Sequence, residues 1–388
     1  MTKSVRKIYF LYGNTGVVVF VYKFFTHITY LYGILKIQTK SVLFIFKRSA
    51  VMNKRERFLN VLANKPVDRV PVAMFHHFTT YEEWLTGLER PDVFEKNIEG
   101  HRISREVFDP DVIKVMNDSL MLMPVDVSEV KCAKDMLKIK LPTMDSPFMQ
   151  KTKELTIRAL EFYKDSEAPK YVTGFSPAMV LRSSMGGLTG TVEGKPKLVQ
   201  YLEEEPEIFL AALDKIAETI MALHEMYIRE CGADGIYFSV NNQNHFFPDE
   251  MYTEFITPSD KKVIAHANTL SDINLLHICG YAGKANNLQL FKDYDIAGFN
   301  WAVHAEGVSL SEGKKLFGGK AVFGGFEQAT VIYTGTREEV EEFTYKILDD
   351  AGQVGVMIGA DCTVPTDIDD NRLEWVRQAC IKYAQEHK

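Results

Sequence analysis

No stretch of the sequence reaches the roughly 18 unbroken apolar residues that a membrane-spanning helix requires. Nor is there a compact apolar segment followed by a small-residue cleavage site, the mark of a secretory signal. No Gly-rich dinucleotide fingerprint follows any apolar run, which argues against a doubly wound nucleotide-binding sheet. Internal repeats and low-complexity tracts are also missing. Cysteine is scarce: Cys132, Cys231, Cys279, Cys362 and Cys380 are odd in number and widely spaced. That excludes a secreted disulfide framework and points to a reducing, cytoplasmic setting. A chain of 388 residues can bury a large core without such staples.

Acidic residues are absent from the first 51 positions, which hold eight Lys/Arg, six Phe and five Tyr. The whole chain has a formal net charge of −7, so the remainder carries 37 basic against 52 acidic groups, a net of −15. An acidic main body argues against nucleic-acid binding, which needs a basic face. The first 51 residues allow three readings: a membrane segment, a targeting peptide, or a stretch outside the functional domain. Asn14, Lys23, His27 and Lys36 interrupt the first, and the second lacks its cleavage site. The third is preferred, because the sequence from Met52 reads as the opening of a soluble protein. The expected organisation is a basic, aromatic extension over 1–51 and one catalytic domain over 52–388.

From Met52 onward, short apolar runs alternate with amphipathic stretches. The expected strands are 70–75, 111–116, 171–175, 235–240, 273–278, 296–301, 321–324 and 354–358, each bounded by Gly, Pro or Asp. Residues 205–229 place Phe209, Leu213, Ile216, Ile220 and Leu223 on one helix face. Residues 248–270, 337–351 and 370–387 read as helices too. Eight strands interleaved with helices predict an α/β fold, a (β/α)8 TIM-type barrel forming a single catalytic domain.

Polar residues gather just after these runs, where such a barrel builds its active site. His277 and Cys279 are two apart, so a strand places both side chains on one side and Ile278 on the other. Imidazole nitrogen and thiolate sulfur are zinc ligands. Cys362, at the tip of the last expected strand, supplies a second thiolate. Such a set balances one Zn2+ per chain and leaves a fourth position open. The plainer alternative is small buried thiols and a hydrogen-bonded core histidine.

The chain resembles the uroporphyrinogen decarboxylase superfamily from about Met52 to its end. The resemblance rests on Arg57-Phe58-Leu59 with Asp68-Arg69-Val70-Pro71, on Phe175-Ser176-Pro177, and on Gly232-Ala233-Asp234-Gly235. It continues through His277-Ile278-Cys279-Gly280, Asn300-Trp301 and Gly324-Gly325 to Asp361-Cys362. That superfamily includes decarboxylases and zinc-dependent methyltransferases that use methylcobamide corrinoids. The methyltransferase branch carries His-x-Cys-Gly and a later Cys as zinc ligands, and His277, Cys279 and Cys362 match it. The resemblance therefore implies transfer of a methyl group from a methylated corrinoid, or similar donor, to a thiol. The methylcobamide would ride on a partner corrinoid protein. The alternative is uroporphyrinogen decarboxylase-type decarboxylation in porphyrin biosynthesis, whose central aspartate would correspond to Asp111. Its arginine-rich run is replaced here by Phe75-His76-His77-Phe78. A third reading is a non-catalytic corrinoid- or metal-binding protein. A homodimer is a candidate assembly.

Further candidates follow from the strand-end rule. His76 and His77 follow the first strand and should face the pocket mouth. Asp111 is a candidate substrate contact. Glu327 is a candidate base or fourth ligand, with His304 and Glu306 as other fourth-ligand candidates. Asn241, Asn242, Gln243, Asn244 and His245 form an amide-rich cluster suited to a polar substrate. Each has a plainer reading as a turn, loop or helix-end residue.

Overall fold

The computed structural model describes residues 7–12, 17–31, 34–47, 51–186, 191–192 and 195–387. The chain divides into two units, Met1–Val51 and Met52–Lys388. In the first, strands Lys7–Tyr12, Val17–Leu31 and Ile34–Lys47 pair antiparallel into one sheet. Its β-branched and aromatic runs favour strands, but no reading of this segment had anticipated a sheet. Among the described residues, no helix is long and apolar enough to cross a membrane.

The second unit is a (β/α)8 barrel. Its strands are β1 (Val72–Ala73), β2 (Ile113–Val115), β3 (Lys170–Phe175), β4 (Gly235–Val240), β5 (Leu275–Ile278), β6 (Gly298–Trp301), β7 (Ala321–Phe326) and β8 (Val356–Ala360). All pair in parallel in the order β1-β8-β7-β6-β5-β4-β3-β2. Both faces of these strands are covered, so they read as continuous apolar runs. Side chains alternate. Leu276, Ile278, Phe299 and Val322 pack outward beneath the helices, while Tyr237, Leu275, Phe323 and Met357 fill the lumen. Helix α1 (Lys54–Leu62), started by an Asn53/Glu56 capping box, packs Phe58 and Val61 into that inner cluster.

β1 is shorter than expected. Pro71 has no N–H to give a ladder, and β1 has only β8 as a paired neighbour. The opening between β1 and β2 is bridged by a side chain. Val72 N donates to Asp111 Oδ2 at 3.0 Å, and Arg69 holds both carboxylate oxygens at 2.6 Å.

The expected helix over 337–351 forms as Arg337–Ala351, and that over 370–387 as Asn371–Glu386, here α2 and α3. The stretch 248–270 is not one regular helix. Asp249–Met251 runs through a wide π-type turn, Tyr252–Ile256, into Thr257–Asn268. Pro258 cannot donate to the carbonyl four residues back, so the turn widens there. The helix predicted over 205–229 likewise ends as Pro206–Glu225 followed by a π-type turn.

Candidate metal centre

Cys279 follows the end of β5 and continues its ladder, donating its N–H to Val240 O at 2.9 Å. Cys362 lies just beyond β8. Cys279 Sγ and Cys362 Sγ are 4.0 Å apart, and Cys362 Sγ is 3.6 Å from His277 Nε2. All three ligand atoms lie within 4.8 Å of one another. At this distance the two sulfurs are not joined as a disulfide. A tetrahedral zinc with ordinary bond lengths needs about 3.8 Å between two sulfurs and about 3.6 Å from sulfur to nitrogen. The residues present therefore fit a divalent cation. Among the described residues no other such cluster of His, Cys, Asp and Glu occurs.

The histidine is held in the right protonation form. His277 and Asn300 are register partners on β5 and β6. Asn300 Nδ2 donates to Phe323 O at 2.8 Å and to Ala360 O at 3.1 Å. Its Oδ1 must then accept, and it takes the Tyr237 hydroxyl at 3.0 Å and His277 Nδ1 at 2.5 Å. With the proton on Nδ1, the Nε2 lone pair is free and faces the cysteines. Tyr237 also stacks on the imidazole, 5.3 Å between centroids at 22°. We expect Asn300→Ala to lower metal affinity about 10–100-fold, measured by competition with a chromophoric chelator. Unchanged affinity would remove Asn300 from the account.

The cysteine loop is fixed as well. Gln243 Nε2 and Asn286 Nδ2 both donate to Cys279 O at 3.1 Å. A Cβ on Gly280 would sit 2.3 Å from that of Ala302, so this position requires glycine. The thiol–thiol hydrogen bond draws Cys279 well below the ordinary thiol range and pushes Cys362 well above it. The pair thus shares a proton in which Cys279 is the thiolate.

A sequence profile of the uroporphyrinogen decarboxylase (URO-D) family matches residues 121–383. The chain belongs to the uroporphyrinogen decarboxylase family. Solved structures agree on the fold of this family member. A methyltransferase from Methanosarcina mazei superposes with TM-score 0.66 at 16% identity, covering 86% of this chain and 99% of its own. A B12-independent methionine synthase from Shewanella sp. W3-18-1, in complex with selenomethionine, gives 0.52 at 14%, covering 82% and 98%. No curated protein matches.

The other candidates of this URO-D family chain divide. Asp111 is not at the mouth. It precedes β2, at the opposite end of the barrel, fully buried between Arg69 and Arg57. The carboxylate at the C-terminal end of β2 is Asp118, which holds His77 Nδ1 at 2.8 Å. His76 does not face the lumen either. Alternation turns Phe75 inward against Tyr237 and leaves His76 outward, its Nε2 2.7 Å from Asp370 Oδ1. There it lines a cleft of about 340 Å³ with Phe78, Ile103 and Thr366. Glu327 is exposed just past β7 and lies outside the ligand cluster. Glu306 is engaged by Asn286, and His304 Nε2 faces Gly325 O at 3.1 Å. Neither joins the ligands. Of the amide cluster, Asn241, Asn242 and Gln243 are scaffold, while Asn244 and His245 are exposed. Asn241 holds Arg182 at 2.6 Å, Asn242 closes a loop onto Phe247, and Gln243 pins Cys279 O.

Sequence reasoning missed Tyr237, Asp118 and Lys114. Lys114 had a visible signal, a lysine inside the apolar run Val112–Met116. Burial pushes its ammonium down to about 8.

Proposed function

We infer that the chain is a zinc-dependent methyltransferase that passes a methyl group from a methylated corrinoid, or a similar donor, to a thiol. The observation that carries this reading is the His277/Cys279/Cys362 triangle at the C-terminal ends of β5 and β8, with ligand atoms within 4.8 Å. The names of the Methanosarcina and Shewanella structures of like fold, a methyltransferase and a B12-independent methionine synthase, support methyl transfer but not the corrinoid donor.

Zinc bound there would lower the pKa of an acceptor thiol, so that a thiolate exists at neutral pH. Three protein ligands leave a fourth position for that sulfur. Asn300 and Tyr237 hold His277, Gln243 and Asn286 hold Cys279, and the barrel fixes where the sulfur meets the methyl carbon. Such positioning supplies a large share of rate. In the transfer a sulfur–carbon bond forms and the donor–carbon bond breaks, its electron pair staying on the donor. The thiol proton leaves to water. The donor would arrive on a separate corrinoid protein. A reducing cytoplasm suits thiols 4.0 Å apart, which oxidation would join.

The test is to incubate zinc-loaded full-length protein with methylcobalamin and 2-mercaptoethanol. The expected result is methyl thioether by mass spectrometry, with matching loss of methylcobalamin absorbance, both dependent on zinc. A zinc-loaded protein that forms no thioether above the protein-free control contradicts the reading.

A further inference from the structure

The barrel lumen holds a cation outside the ligand cluster. Lys114 extends inward from the middle of β2, between the outward-packed Ile113 and Val115. Its Nζ lies 5.0 Å from the Phe75 ring centroid and 4.8 Å from that of Tyr237. Among the described residues no carboxylate or carbonyl accepts a hydrogen bond from it. Asp118, the acid on the same segment, is already occupied by His77 and by the backbone N–H groups of Phe78 and Thr79. Arg182, a buried cation, has a neutral partner in Asn241. A half-buried ammonium beside two aromatic rings, with no anion hydrogen-bonded to it, carries a desolvation cost.

Lys114 and the metal-centre histidine share one neighbour. Tyr237 touches both groups: its ring stacks on the His277 imidazole, 5.3 Å between centroids, and its centroid lies 4.8 Å from Lys114 Nζ. Two thiolates and a neutral imidazole balance a divalent cation. An acceptor entering as a third thiolate leaves one negative charge in excess. We propose that Lys114 is a positioning residue that supplies the matching positive charge, so that the site takes up its acceptor as a thiolate whatever the rest of that molecule carries. The proposal rests on the thiol-methyltransferase reading above.

The test uses full-length protein loaded with Co2+, whose thiolate absorption reports sulfur binding without turnover. Two probes are titrated across pH: neutral 2-mercaptoethanol and anionic 3-mercaptopropionate. In Lys114→Met, both should bind more weakly by about tenfold, equivalent to about one unit in the bound thiol's apparent pKa. Metal content should be unchanged, and Lys114→Arg should recover most of the loss. Three results would overturn the proposal. One is equal binding by Lys114→Met and the unaltered protein. Another is a loss confined to 3-mercaptopropionate, which would make Lys114 a reader of the acceptor's tail. The last is loss of the metal itself in both Lys114→Met and Lys114→Gln, which would make it a structural support. If the unaltered Co2+ protein binds neither thiol, the methyltransferase reading fails first and takes the proposal with it.

Discussion

Cys279→Ser and Cys362→Ser are each expected to abolish stable zinc binding, and with it thiol methylation, while leaving the barrel folded. The reason is local. Each thiolate supplies half of the negative charge that offsets the metal, and serine's hydroxyl stays protonated at neutral pH, so it offers no anion. Neither side chain belongs to the inner or outer apolar cluster, so replacing sulfur by oxygen leaves the packing in place. Thermal unfolding of the two variants should therefore stay close to that of the metal-stripped parent. Cys380→Ser is the control: this thiol is buried in α3, where burial pushes it up to about 12, and it has no place among the ligands. Its variant should keep the metal.

Asp111→Ala should have the largest effect on stability and none on the chemistry of the metal centre. The carboxylate accepts two bonds from Arg69 and one from Val72 N–H, and lies 3.7 Å from Arg57. Removing one partner of such a buried network leaves cations uncompensated and costs about 3–5 kcal/mol. Burial alone would raise the Asp111 carboxyl, but the hydrogen bonds and charge of Arg69 outweigh it and hold the group below its ordinary 3.8. A carboxyl depressed in the folded state contributes stability above its unfolded pKa. That contribution is lost as pH falls from 3.8 through the folded value. Acid unfolding of Asp111→Asn, followed by circular dichroism, should accordingly lose part of its pH dependence in this window. A variant of unchanged stability that lost activity would instead place Asp111 in the reaction, as a porphyrinogen decarboxylase would require.

The barrel was legible because every strand is an apolar run bounded by Gly, Pro or Asp, and β4 was read to the residue, Gly235–Val240. His277 and Cys279 were legible because a strand's two-residue period needs no tertiary knowledge. What failed was the same period counted from the wrong end. β2 begins at Ile113, so Asp111 lies before the strand instead of on it. β1 ends at Ala73, and two steps on it is Phe75 that faces in and His76 that faces out. The role of Asn300 was hidden for a different reason. Its value lies in being level with His277 across the β5–β6 ladder, and register between strands is not written in either strand alone. Lys114 was passed over because an apolar run was read as a whole, although one charged residue within it was the clue.

The central claim is that His277, Cys279 and Cys362 form one metal site. Its most direct test is elemental analysis of full-length protein purified without chelator, beside Cys279→Ser and Cys362→Ser. The account predicts about one zinc per chain in the parent, from a neutral three-ligand set, and none in either variant. Well-folded parent protein without zinc, or variants that retain it, would contradict the account.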